Sequence, residues 1–137
     1  MGACRANGNP ARCVFLRSRE AKARLRPVLA PGNVEKTRTA PVTVIIAYDL
    51  LFYEKLLKLF PHKPYMRNLF EENPQLVEVT ARRNSSLQAA CLMLAARALG
   101  LDWGPLSGFD NAKLDEEFFG QARKVNVVSR SSFPHDT

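Results

Sequence analysis

The chain has 137 residues, 46% of them hydrophobic, with a formal net charge of +7. That length fits one domain over residues 1–137, and no stretch approaches the roughly 18 consecutive apolar residues of a membrane span. The three cysteines, Cys4, Cys13 and Cys91, are an odd number at wide spacings and suit neither a disulfide framework nor a zinc site.

The first sixteen residues hold no apolar run of signal-peptide length, so a soluble, cytoplasmic protein is expected. The charge is uneven. Residues 1–40 carry nine Lys or Arg against two Glu, whereas residues 41–137 are balanced. A basic end of this kind suits nucleic acid, a membrane surface, a phosphate-bearing ligand or a solvated helix face. Phe15 is the one aromatic among Arg12, Arg17, Arg19, Lys22, Arg24 and Arg26. Nucleic-acid surfaces usually interleave stacking rings with charge, so nucleic acid is the less favoured partner.

In chain order, "RCVFLRS" (12–18) predicts a short strand, and Ser18 can cap a helix running through Leu25. Pro27, Pro31 and Gly32 are expected to break that helix. "PVTVIIAYD" (41–49) predicts a central strand, apolar on both faces and covered by helices on both sides. Asp49 can cap the helix "LLFYEKLLKLF", which Pro61 and Pro64 end. A short helix or turn follows over 64–73. Asn73 then caps a long helix with Pro74 at its first position.

Apolar residues in that long helix recur at 76, 79, 87, 90/91, 94 and 98, the helical period. From Leu87 onward the pattern predicts burial on most sides, with Cys91 a small core residue and Gly100 the C-terminal stop. A second copy is the expected cover, since a monomer with about three strands could hardly bury such a helix. "GLDWGPLSGFD" (100–110) predicts a glycine-rich loop. Asp110 caps "NAKLDEEFF", Gly120 ends it, "KVNVVS" predicts a last strand, and the tail "RSSFPHDT" is expected to be loose. Strands alternating with helices argue an α/β or α+β sandwich.

Few residues suggest acid–base or metal chemistry. His62 and His135 sit in proline-flanked loops and read as surface residues. Asp115, Glu116 and Glu117 read as a solvated helix face. A catalyst so composed must take its chemistry from a cofactor. Three stretches can hold one. "ANGNPAR" (6–12) is a polar approach to a strand. "PGNVEKT" (31–37) sets Asn33 and Lys36 one helical turn apart, an amide and a cation suited to the polar edge of a heteroaromatic ring. In 104–108, Gly104 and Gly108 flank Pro105, Leu106 and Ser107 and let backbone approach a flat ring. Each stretch also has a plainer use, as a loop, a helix start or a helix terminator.

Taken in order, "ANGNPAR", "GNVEKT" with "APVT", and "RNSSLQAACLMLAARALGLDWGPLSGFD" resemble the flavin-dependent nitroreductase family, most closely its malonic-semialdehyde reductase branch. The likeness covers about residues 6–126. It implies an α+β fold, a sheet flanked by helices, in a homodimer with FMN at the subunit interface. It also implies that NADH or NADPH reduces the flavin, which then passes electrons to a small aldehyde or another acceptor. By the same resemblance Asn33 and Lys36 face the flavin pyrimidine edge, and Pro105, Leu106, Ser107 and Gly108 form the loop over the ring. Asn7 matches the asparagine of a turn that contributes to the site.

Two departures stand beside the likeness. Ala3 and Arg5 occupy positions where the family has proline and serine. The family's phosphate-binding N-terminal helix and glycine-rich C-terminal turn have no counterpart, so the chain reads as truncated at both ends. Loss of two phosphate contacts, each worth ~1.5–3 kcal/mol, implies FMN affinity weaker by about a hundredfold or more. The competing expectations are a fragment that binds no flavin and a basic nucleic-acid module.

Overall fold

The computed structural model describes residues 8–120 and 123–132. Among them four strands form one antiparallel sheet. They are β1 (Ala11–Leu16), β2 (Val42–Asp49), β3 (Asp102–Leu106) and β4 (Arg123–Ser132), in the order β1-β2-β4-β3. The helices are α1 (Arg19–Ala23), α2 (Pro31–Thr39), α3 (Leu56–Leu59), α4 (Tyr65–Glu71), α5 (Pro74–Ala98) and α6 (Asn111–Phe118). Short 3-10 turns cover Arg26–Val28 and Phe52–Lys55. No helix among these residues is long and apolar enough to cross a membrane.

Strand β2 is the axis of the fold. Its β-branched residues favour the pleated backbone, and Thr43 through Asp49 are all buried. Alternation sends its side chains to two different cores. Ile45 joins Leu16, Leu25, Leu29, Leu106 and Leu114 on one face of the sheet. Val44 and Ile46 meet Ala89 of α5, with Leu92, Met93 and Trp103 alongside, on the other. A third cluster, around Phe52, Leu56, Phe70 and Val77, closes the end of the sheet beyond Tyr48. The architecture is thus α+β, a central sheet flanked by helices.

Several expected elements take a different form. Strand β3 lies inside the stretch read as a loop. It pairs with β4 alone and so forms a sheet edge, where Pro105 deletes no interior ladder bond. Strand β4 runs on through Arg130, Ser131 and Ser132, which the sequence assigns to the loose tail. Pro31 opens α2 rather than ending a helix, because its missing N–H falls among the donors that a first turn leaves unpaired. Ser18 caps α1 by accepting from the Ala21 N–H, but the α-helix stops at Ala23. Asp49 accepts from the Leu51 N–H at 3.0 Å, and the chain beyond is a 3-10 turn followed by the four-residue α3.

Helix α5 keeps its expected ends. The Asn73 side chain accepts from the Leu76 N–H at 3.1 Å. At the other end Gly100, at φ 80°, lets its own N–H reach Arg97 O and the Leu101 N–H reach Ala96 O, both at 3.0 Å. Its buried face is not the expected one. Val77, Thr80, Ala81, Asn84, Ser85, Ala89 and Ala96 face the interior. Val79, Leu87 and Leu94 point outward, 58%, 46% and 71% exposed, and Cys91 is exposed with them. Small side chains bring the helix close to the sheet, and the long aliphatic ones are left for the opposite face. Cys91 is therefore a surface residue of this chain, and the helix beyond Leu87 is not covered on most sides.

Candidate functional site

Strand β3 carries the chain towards the N-terminus of α2, and the two segments are laced together there. The Ala30 N–H donates to Gly108 O at 2.8 Å, and Asn33 Nδ2 donates to the same oxygen at 3.2 Å. The Asp110 N–H donates to Val28 O at 2.8 Å, and Leu29 bridges Phe109 in antiparallel fashion. These bonds fix the Asn33 amide beside the loop. A Cβ at position 108 would lie 2.7 Å from Asn33 Nδ2 and 3.1 Å from the Ala30 Cβ. A side chain at 108 would therefore displace the Asn33 amide, and glycine leaves it room.

The other residues of this region take distinct positions. Leu106 is buried in the core with Ile45 and Leu114, so it anchors the loop by its side chain and leaves only its backbone for a ligand. Pro105 and Ser107 are exposed, and so is Lys36, one turn along α2 from Asn33. Lys36 makes no ion pair among the described residues. Asn7 lies outside the described residues. Its neighbours are held on α5, where Asn84 Nδ2 donates to Gly8 O at 3.2 Å and Gln88 Nε2 donates to Asn9 Oδ1 at 2.9 Å. Gln88 Oε1 also accepts from the Ala11 N–H at 3.0 Å. Asn84 and Gln88, one turn apart on α5, thus set the approach into β1.

Asn33 Nδ2 is turned to Gly108 O, which leaves Oδ1 as an acceptor for a ring N–H. Lys36 is a cation on the same helix, and the Gly108 carbonyl holds the amide.

A polar cavity of about 400 Å³ adjoins the loop, lined by Ser107, Tyr48, Arg82, Asp115 and Lys124 among others. Lys124 Nζ donates to Glu78 Oε1 at 2.9 Å. That bond and the lysine charge hold the Glu78 carboxyl below its ordinary range, and Glu78 in turn raises Lys124. Burial, then the Glu78 charge, push the Tyr48 phenol up. The sequence does not disclose this cluster, because its members come from β2, α5, α6 and β4. Asp115 was expected on a solvated helix face; it is half-buried and lines the cavity instead.

Three residues of the basic N-terminal stretch are engaged by the fold. Arg12 pairs with Asp49 at 2.8 Å, Arg24 with Glu117 at 2.6 Å, and Lys22 is buried as a donor to Ala40 O. His62 is exposed, as expected, and His135 lies outside the described residues. Among the described residues no group of histidine, cysteine and acidic side chains could hold a metal ion.

Comparisons with known proteins converge on one fold. A Burkholderia lata protein designated an NADH dehydrogenase/NAD(P)H nitroreductase is 59% identical over 128 residues, which is 93% of this chain and 65% of that protein. The chain thus spans just under two thirds of the length of this relative. A Bacillus subtilis structure designated a nitroreductase superposes with a TM-score of 0.88 at 18% identity, over 98% of this chain and 72% of that one. A nitroreductase-type structure from Exiguobacterium sibiricum, solved in complex with FMN, gives 0.87 at 22% identity with the same coverage. No protein-family profile matches. The chain is homologous to the Burkholderia lata protein, and its fold is that of the nitroreductase structures.

Proposed function

We infer that this chain is a nitroreductase-family oxidoreductase of one domain. It binds FMN and accepts electrons from NADH or NADPH in the cytoplasm. Its proposed electron acceptor is a small aldehyde, malonic semialdehyde, reduced to 3-hydroxypropionate in pyrimidine degradation. The observation that carries the reading is the contact of Asn33 with Gly108, which joins two of the three stretches that resemble the family's flavin site. The FMN found in the Exiguobacterium sibiricum structure of the same fold supports it.

FMN, when bound, would supply the two-electron chemistry that these side chains lack. Asn33 Oδ1 would accept from the ring edge, and Lys36 would stabilise negative charge developing at that edge. Pro105, Leu106, Ser107 and Gly108 would border the ring through backbone, with Leu106 buried to hold the segment still. Asn7 is assigned to the site by the resemblance. The outward aliphatic face of α5, centred on Leu87 and Leu94, is the surface proposed for a second copy of the chain.

Flavin fluorescence titration tests the reading first. Saturable quenching, weakened by substitution of Asn33 or Gly108, supports it. NADH and NADPH oxidation is then followed with and without malonic semialdehyde. A folded protein that leaves flavin fluorescence unchanged would instead be the non-catalytic form of the fold.

A further inference from the structure

A second cavity, of about 370 Å³, lies between α1 and α2, and neither Asn33 nor Gly108 lines it. Arg19, Lys22, Arg26 and Arg38 line it, against a single carboxylate, Glu35. Glu35 is committed to Arg38, whose Nε donates to it at 2.9 Å. Arg19 and Arg26 make no ion pair among the described residues. Lys22 is only 9% exposed and donates to Ala40 O, an arrangement that leaves two of its three protons without a described acceptor.

Thr37 lines the same cavity and is 1% exposed. Its hydroxyl has no hydrogen-bond partner among the described residues. A buried hydroxyl without a partner costs folding free energy, and buried polar groups are nearly always paired. It belongs to a residue that lines the basic cavity, and it is a donor without an acceptor. The floor is apolar, formed by Ala23, Leu29 and Val34.

We propose that this cavity binds a small phosphate-bearing molecule. Its phosphate is held by Arg19, Lys22, Arg26 and the Thr37 hydroxyl, and its non-polar body rests on Leu29 and Val34. Guanidinium groups match phosphate oxygens in fork geometry, and a hydroxyl donor completes the set. The volume falls in the range of small-molecule sites. A nucleic-acid strand fits less well. It needs an open charged track, whereas Arg12 and Arg24 on either side of this region are already paired.

The site is independent of the proposed flavin contacts, and the experiment keeps the two apart. The full chain is titrated with ADP, with inorganic phosphate and with a single-stranded oligonucleotide, by calorimetry. ADP should bind saturably and more tightly than phosphate. Arg26→Ala and Thr37→Val should each weaken ADP by about tenfold or more, the effect of one hydrogen bond to a charged group. Neither should alter FMN affinity, and Gly108→Ala should leave ADP affinity unchanged. Thr37→Val should also keep or raise the melting temperature of the ligand-free protein, since it removes an unsatisfied hydroxyl. The proposal is overturned if ADP and phosphate both fail to saturate, or if both variants bind ADP as the parent does. Oligonucleotide binding tighter than ADP, and falling steeply with salt, would overturn it in favour of a polyanion surface.

Discussion

The Asn33 side chain donates to the carbonyl of Gly108, 75 positions along the chain, at 3.2 Å. The same amide occupies the space that a side chain at 108 would need. Glycine and asparagine are therefore one unit: the first leaves room, the second fills it and is oriented by the bond.

Gly108→Ala tests that unit. Its Cβ would meet Asn33 Nδ2 at 2.7 Å and Ala30 at 3.1 Å, so the amide must swing away. Overpacking of this kind costs about 1–3 kcal/mol, and the lower end is expected because the end of an Asn side chain can move. In an Asn33→Ala background the cost should shrink, giving a coupling of about 0.5 kcal/mol or more. Urea denaturation of the four proteins measures this. Additive effects would show that the two residues do not act together. FMN affinity should fall in Gly108→Ala through displacement of Asn33.

Lys36 presents the opposite case, an exposed cation with no ion pair among the described residues. Lys36→Ala should change stability by less than about 0.5 kcal/mol, as surface substitutions usually do. If it faces the reduced flavin, the substitution should lower the midpoint potential of bound FMN. A potential unchanged in a variant that still binds FMN would remove Lys36 from the site.

The sequence made the backbone frame legible where local chemistry is decisive. Asn73, Pro74 and Gly100 bound α5 through capping groups within a few residues of each end. Strand β2 was legible because an apolar β-branched run has few other uses. Strand β3 was not, since Gly104 and Pro105 oppose strand formation locally and only pairing with β4 imposes it. The facing of α5 was misread because its inner surface is built from alanine, serine and threonine. Periodicity finds the larger apolar residues, and here they point outward. In the candidate site, the sequence singles out Asn33 and Gly108 separately. Their contact, and the cluster of Tyr48, Glu78 and Lys124, depend on tertiary packing that no local pattern encodes.

The Glu78–Lys124 pair should shape the pH profile of stability. The folded-state pKa of Glu78 is below its ordinary value, so the stability it contributes is full above about pH 4.3 and is lost as pH falls through the folded value. Lys124 is shifted upward, so its contribution is full below about pH 10.4 and is lost as pH rises through its folded value. Both side chains are roughly half exposed, so solvent screening keeps the pair to about 1 kcal/mol or less. Lys124→Met should therefore flatten both limbs of a plot of denaturation midpoint against pH, with little change in between. A profile that keeps both limbs would assign them to other groups.

Helix α5 offers two opposite substitutions that separate fold from assembly. Ala89 is buried against Val44 and Ile46, so Ala89→Leu should overpack the inner face and destabilise the chain by about 1–3 kcal/mol. Leu94 is 71% exposed, and Leu94→Glu should leave the fold of one chain intact. If the outer stripe of Val79, Leu87 and Leu94 seats a second copy, sedimentation at micromolar concentration should show a dimer for the parent. Leu94→Glu should then be a folded monomer by circular dichroism and sedimentation together. A charge at the centre of an apolar interface must be desolvated without a partner, so one substitution suffices to shift the equilibrium. A parent chain that sediments as a compact monomer would leave the stripe without a second copy, and the proposed dimer would fall while the assignment of the inner face stood.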